Sequence, residues 1–380
     1  MKNKVCVVTW SGGTNYGTNL QAYALIKKLK LLGYDASMKG SIVGNVNYLL
    51  HPAFVLERVA NKLKQKQSKK KVALKDKKKE KRFKEFCEIY LPRLNSHGKQ
   101  QWKQIEQEYL AFITGSDQVW NPNYFQSMMM LDFVNSNKIK KIAYAPSIGV
   151  NELSKQTKKK YKNLLSSYSA IGMREKQAAD IISDISPVTV KTVLDPTLLL
   201  TDNDWNQLAD KAEVDKTWNA DKPYILCYFV GNRNDYCNYI DLVKEKTGMN
   251  CIIIPMDVDL SNCGAVATGV GPNEFIWLIK NADIVCTDSF HATAFSIQYR
   301  KEFYVLKRFD DNSKVSQNGR LYEILNTYQL QSRWITNESE FIRENDINYE
   351  IVYRILNDKR KYSENYLIDA LERQEYQYED

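Results

Sequence analysis

Histidine is scarce in this 380-residue chain, with only three copies, His51, His97 and His291. No Cys/His spacing suits a metal ion, so neither a zinc finger nor a catalytic metal centre is predicted. Long apolar runs are also missing. None approaches the ~18–20 residues needed to cross a bilayer, and Val5 to Val8 is too short an apolar core for a secretory signal. The seven cysteines are odd in number and contain no C-x-x-C pair. Four of them, Cys6, Cys227, Cys251 and Cys286, lie in or beside apolar runs. The cysteines therefore read as small core residues of a reducing cytoplasm rather than as disulfides. There is no G-x-S-x-G, which excludes a nucleophile elbow.

The net charge of +9 is concentrated in one place. Lys62 to Lys84 holds 13 Lys/Arg against Asp76 and Glu80, a local charge of +11, and the rest of the chain carries −2. No nucleic-acid recognition module accompanies this arm and no aromatics are interleaved with it, so no nucleic-acid partner is predicted. An apolar, partly amphipathic stretch precedes it, from Tyr48 to Val59. Two readings stand: a solvated helical arm, or a patch that rests on an anionic membrane surface through Lys62–Lys84. The second makes the protein peripheral on the inner face of the membrane.

Short apolar runs alternate with helical patterns, which predicts an α/β fold with parallel sheets. Strands are expected at Val5 to Thr9, Ala111 to Thr114, Ile139 to Ala145, Ala170 to Met173 and Val188 to Leu194. A polar stretch around Asp215 to Lys222 marks a boundary, after which the alternation restarts at Tyr224 to Phe229. Cys251 to Pro255, Ile284 to Cys286 and Phe303 to Leu306 follow. The expected organisation is an N-terminal Rossmann-like domain over residues 1–215 with a basic helical insertion at about 45–90, a second over 222–335, and a helical tail over 339–380.

Functional groups collect where these strands end. Thr287, Asp288 and Ser289 offer helix-capping side chains after Ile284 to Cys286, which places His291 in the first turn of a helix at the carboxyl end of a strand. Open α/β sheets bind ligands there, and a helix N-terminus favours an anion. Ser11 to Asn19 resembles a glycine-rich phosphate cradle through Gly12, Gly13 and Gly17, without G-x-G-x-x-G or Walker spacing; a tight turn is the other reading. Asp117, Gln118 and Trp120 suit a sugar, with hydroxyls on the polar groups and a C–H face on the indole. A capped turn over a core tryptophan is the alternative. Arg174 suits bidentate docking of an anion, or an ion pair with Glu175. Asp195 is a base or a cap. Lys307, Arg308 and Arg320 add cations near the His291 helix end.

These pieces, taken in order, resemble the polysaccharide pyruvyl transferase family. The matching residues are Asn15-Tyr16-Gly17 with Leu20 to Leu25, Phe112 to Pro122, Ala143 to Ser147, Arg174-Glu175, Leu194 to Thr197, and Asp283 to Ile297 with Lys307 and Arg308. Residues from about 36 to 100 and the last 40 or so are not covered. The resemblance implies two Rossmann-like domains facing across a cleft, as in B-type glycosyltransferases. It also implies a pyruvyltransferase that forms a pyruvate ketal on a sugar of a surface-polysaccharide precursor, such as a lipid-linked oligosaccharide. Phosphoenolpyruvate is then the donor and co-substrate, with no cofactor. By this resemblance His291 is the catalytic histidine. The chain departs from the family at Ser289, where many members carry an arginine.

The expected site is therefore His291 and Asp117 as catalytic groups, and Ser289, Arg174, Lys307, Arg308 and Arg320 around the donor. Asn15, Tyr16, Gln118, Trp120 and Asp195 are expected around the acceptor. A nucleotide-sugar glycosyltransferase using the same cleft, and a non-enzymatic glycan- or membrane-binding protein, are the competing classes.

Overall fold

Two parallel six-stranded sheets carry the chain. The computed structural model describes residues 2–42, 76–94, 105, 107–134, 136–256, 259–309, 318–336 and 346–372. The apolar stretch before the basic arm and the arm itself up to residue 75 lie outside these residues, as do His51 and His97.

The first sheet is built from β1 (Lys4–Ser11), β2 (Asp35–Ile42), β3 (Tyr109–Thr114), β4 (Lys140–Tyr144), β5 (Ala170–Met173) and β6 (Val190–Thr192) in the order β2-β1-β3-β4-β5-β6. Its helices are α1 (Tyr16–Leu31), α2 (Lys77–Tyr90), α3 (Lys155–Leu165), α4 (Lys176–Ser183), α5 (Pro196–Leu199) and α6 (Asp202–Ala209). The second sheet comprises β7 (Tyr224–Tyr228), β8 (Asn250–Ile253), β9 (Ala265–Val266), β10 (Ile284–Thr287), β11 (Glu302–Leu306) and β12 (Trp334–Ile335), ordered β12-β11-β10-β7-β8-β9. With it go α7 (Tyr236–Thr247), α8 (Pro272–Asn281), α9 (Phe290–Gln298), α10 (Asn318–Thr327) and the long α11 (Tyr349–Glu372).

The central strands are apolar through their length because parallel strands are covered on both faces; β7, Tyr-Ile-Leu-Cys-Tyr, is buried at every position. Strand order reverses between β1 and β3 in one sheet and between β7 and β10 in the other. Open α/β sheets bind their ligands at such switch points. The loops after β1, β3, β7 and β10 therefore frame the cleft.

Contacts across the cleft are numerous. Tyr16 is wholly buried, donates to the Val270 carbonyl at 2.8 Å and stacks on Phe275 with centroids 4.4 Å apart. Helix α2, the described end of the basic arm, is capped by Asp76, whose other oxygen accepts from Gly269 N–H at 2.6 Å. From the same helix Arg82 donates to the Gly269 carbonyl and pairs with Glu213. This part of the expected insertion thus touches both domains through one face, with Phe83 and Phe86 buried, and leaves Lys81 and Lys84 in solvent. Helix α11 begins on the second domain, where Tyr349 donates to the Ser296 carbonyl, and ends on the first, where Tyr366 donates to the Ala143 carbonyl at 2.8 Å.

The cysteine expectation holds for Cys6, Cys227, Cys251 and Cys286, all buried thiols. It fails for Cys237 on α7 and Cys263 in the turn after β8, which form a disulfide with Cα atoms 5.9 Å apart. Twenty-six residues separate them, and only the fold brings the two together.

Candidate active site

The centre of the cleft is a contact between His291 and the first turn of α1. Ser289 is extended and caps α9, its Oγ accepting from Ala292 N–H at 3.4 Å, so His291 is the second residue of the helix. Its ring lies against Gly17: a Cβ placed there would stand 2.0 Å from His291 Nδ1. No bulkier residue lets the imidazole reach this position. On its other side Nε2 points to Asp195 Oδ2 at 3.7 Å, ion-pair range but too long for a hydrogen bond.

Asp195 belongs to the first domain and is 2% exposed. It caps α5 through Thr197 N–H at 3.0 Å, accepts from Ser116 Oγ at 2.7 Å and pairs with Arg174 at 3.0 Å. Burial alone would raise its carboxyl; His291, Arg174 and the Thr197 N–H outweigh that and hold it well below the usual carboxylate range. Of its two sequence readings the cap is seen, and the same carboxylate faces the histidine. Its expected place on the acceptor is not supported, because its oxygens are enclosed and already bonded.

Arg174, buried at the end of β5, divides its guanidinium between Glu175 at 2.7 Å and Asp195. It stacks over Phe290 of the second domain at 4.5 Å. Burial would lower its proton affinity, but Glu175, Asp195 and Asp117 raise it further. The third nitrogen, NH2, is buried without a hydrogen bond among the described residues, a donor still available to an anion. Arg320, which the sequence left outside any element, is presented by α10 from across the cleft. Burial lowers it to about 10, with Arg174 and Arg308 repelling it and Glu175 and Asp117 pulling the other way. Burial is the largest cause, and the neighbouring arginines add to it. Between Arg320 and Glu323 on one wall, and Ser147 to Asn151 with Glu175 and Gln177 on the other, the cleft narrows to about 30 Å³. That volume suits water molecules.

Asp117 follows β3 in the left-handed region at φ 70° and accepts from Thr18 Oγ1 at 3.1 Å. Thr18 and Gly17 are neighbours, so one turn of α1 touches both expected catalytic groups. Gln118 is half-buried and accepts from Asn121 at 2.7 Å. Asn15 is exposed and caps α1 through Thr18 N–H at 3.0 Å. Lys307 and Arg308 end β11, and the Arg308 side chain passes Gly231 after β7, where a Cβ would lie 3.1 Å from its Cγ. Asp288, expected among the helix-capping side chains, instead fixes that loop by accepting from Val230 and Gly231 N–H at 2.6 and 2.7 Å and from Tyr236 OH at 2.7 Å.

Two expectations are corrected. Trp120 is wholly buried, donates to the Met129 carbonyl at 3.1 Å and packs edge-on against Tyr168, so it offers no face to a sugar. Tyr16 is an interdomain anchor rather than an acceptor contact. Of the two readings of the glycine loop the turn fits the contacts: Asn19 Oδ1 takes Gly12 N–H at 2.8 Å and Gly17 leaves room for His291.

No helix among the described residues is long and apolar enough to cross a membrane, and no group of three metal-ligating side chains occurs among them.

A putative UDP-N-acetylglucosamine 2-epimerase from Listeria monocytogenes superposes with a TM-score of 0.50 at 10% identity, over 98% of this chain and 96% of that one. MurG from Acinetobacter baumannii gives 0.43 at 10% identity, over 98% and 100%. The first of these, with the two parallel sheets, identifies the B-type glycosyltransferase fold. No curated protein matches the chain. The family model described as polysaccharide pyruvyl transferase matches residues 15–310, from the cap of α1 to just beyond Arg308. With a match of that extent, the chain belongs to the polysaccharide pyruvyl transferase family.

Proposed function

We propose that this transferase moves the enolpyruvyl unit of phosphoenolpyruvate onto two hydroxyls of one sugar in a surface-polysaccharide precursor, forming a cyclic pyruvate ketal and releasing phosphate. The observation that supports the reading is the approach of Arg320 to Arg174, whose NH2 is buried without a hydrogen-bond partner among the described residues and whose partner Asp195 faces His291. Two guanidiniums so placed suit a small, multiply charged anion, and phosphoenolpyruvate brings a phosphate and a carboxylate. Ser289, spent as a cap, leaves that task to the guanidiniums.

In this mechanism His291 delivers a proton to the donor's methylene carbon, and an oxocarbenium-like centre develops at C2. A sugar hydroxyl attacks C2, and its proton passes to Asp117. Cleavage of the C2–O bond releases phosphate with its electron pair, and the second hydroxyl closes the ketal. Of the two hydroxyl protons, one replaces that spent on the methyl group and one leaves on the phosphate. Asp195, 3.7 Å from Nε2, faces the imidazole and helps to orient it. General acid catalysis of this kind contributes about 10²–10⁴-fold, and guanidiniums fixed beside the departing phosphate add electrostatic stabilisation.

The deciding assay is phosphate release from phosphoenolpyruvate with and without the precursor glycan. Release that needs the glycan, and falls about 10²–10⁴-fold in His291→Gln, is expected. Release that ignores the glycan, or an unaffected variant, overturns the reading.

A further inference from the structure

A second cavity lies beside the first turn of α1, and neither Arg174 nor Arg320 lines it. It runs between the loop after β1, Gly12 to Thr14, and helix α2, and holds about 780 Å³. That is within the ~300–1,000 Å³ of ordinary ligand clefts and far larger than the crevice at Arg320. Its floor is apolar, from Phe83 and Leu91, both buried. Glu80, Lys84 and Glu88 follow one another at four-residue spacing, so one face of α2 presents them together; with Arg93 they line the cavity. Two carboxylates and two cations leave no net charge there.

We infer that this groove is the acceptor subsite, taking several residues of an uncharged oligosaccharide rather than a lone sugar. The inference rests on the pyruvyl-transfer reading for the identity of the occupant. Charge divides the two substrates: the anionic donor belongs with Arg174 and Arg320, while a chain of neutral hydroxyls suits balanced carboxylates and cations above an apolar floor. Position agrees, because the loop that walls the groove leads directly into the turn of α1 that touches Asp117 and His291.

The groove contains its own reporter. Cys87 lines it half-buried, its thiol 3.2 Å from Asn19 Oδ1. Four of the other cysteines are buried thiols and the remaining two form the disulfide. Burial raises the Cys87 thiol, and Arg93 works against that, so labelling is best run at mildly alkaline pH. The rate of N-ethylmaleimide addition to Cys87 in the intact protein is read by mass spectrometry. The probe is the neutral oligosaccharide fraction released from the polysaccharide precursors of cells lacking this enzyme. Labelling should slow about tenfold when the glycan is at ten times its dissociation constant, while saturating phosphoenolpyruvate leaves the rate unchanged. Undiminished labelling with the glycan, or equal protection by phosphoenolpyruvate alone, overturns the assignment. A second measurement is Cys87→Trp, which should raise KM for the glycan while affinity for phosphoenolpyruvate persists; an unchanged glycan KM also overturns it. If the glycan protects Cys87 yet takes no pyruvate from phosphoenolpyruvate, the groove stands and the donor assignment fails.

Discussion

Gly17 and His291 touch across the domain boundary, so closely that even a methyl group on Gly17 would overlap the imidazole, 2.0 Å from Nδ1. Gly17 is not among the residues with positive φ, so its lack of a side chain serves space rather than backbone conformation. Gly17→Ala is therefore expected to leave the fold intact, because alanine favours a helix by up to ~1 kcal/mol. It should also push the imidazole out of place and lower kcat/KM by about 10²-fold, the typical cost of a 1 Å misplacement. Turnover and Tm measured together check this; a drop in both in proportion would mean simple unfolding.

Arg320 is held against its own electrostatics. Its proton affinity is lowered by burial and by Arg174 and Arg308, so the charge costs stability in the empty protein. Arg320→Met should keep or raise Tm while weakening phosphoenolpyruvate binding by about 10- to 150-fold, the equivalent of a lost charged hydrogen bond of ~1.5–3 kcal/mol. Calorimetric titration and thermal melts separate the two effects. A variant that binds the donor normally removes Arg320 from the site.

Asp195 makes an acid-side prediction. Its carboxyl is depressed in the folded state, so its contribution is complete above the unfolded value near ~3.9 and is lost as pH falls towards the lower folded one. Asp195→Asn leaves Arg174 facing a neutral amide, at a cost of about 3–5 kcal/mol for a broken buried pair. The Tm gap between wild type and variant should be constant from neutral pH to about 5 and shrink below about 4. A gap that widens on acidification contradicts the network.

Trp120 tests the corrected reading of its loop. Filling the core with its ring edge on Tyr168, Trp120→Ala should cost about 3–5 kcal/mol of stability. The variant that remains folded should show an acceptor KM close to that of wild type. A raised KM at unchanged stability would return the indole to the acceptor site.

The strand–helix alternation was legible because parallel strands are uniformly apolar: β5 spans the expected Ala170 to Met173, and β7 and β10 each differ by one residue from their expected bounds. Strand β2, Asp-Ala-Ser-Met-Lys-Gly-Ser-Ile, escaped notice since its polar and small residues mimic a loop. Capping residues revealed the helix of His291. What they could not reveal is where α1 lies relative to it, so Gly17 read as a phosphate turn and Tyr16 as a sugar contact. Aromatic residues near polar loops carry the same ambiguity: burial of Trp120 and Tyr16 depends on partners far away in sequence, Tyr168 in one case and Val270 and Phe275 in the other. The cationic groups were recognisable as a set, but their division between Glu175, Asp195 and the open cleft follows only from the fold.

Helix α11 leaves the second domain at Tyr349 and is moored to the first at Tyr366 and Leu371, with Arg360 midway holding the Leu198 and Leu200 carbonyls and Gln298. The polypeptide thus joins the halves twice, once before β7 and once along this rod. Two tethers permit a swing about the line between them and resist sliding or free twisting.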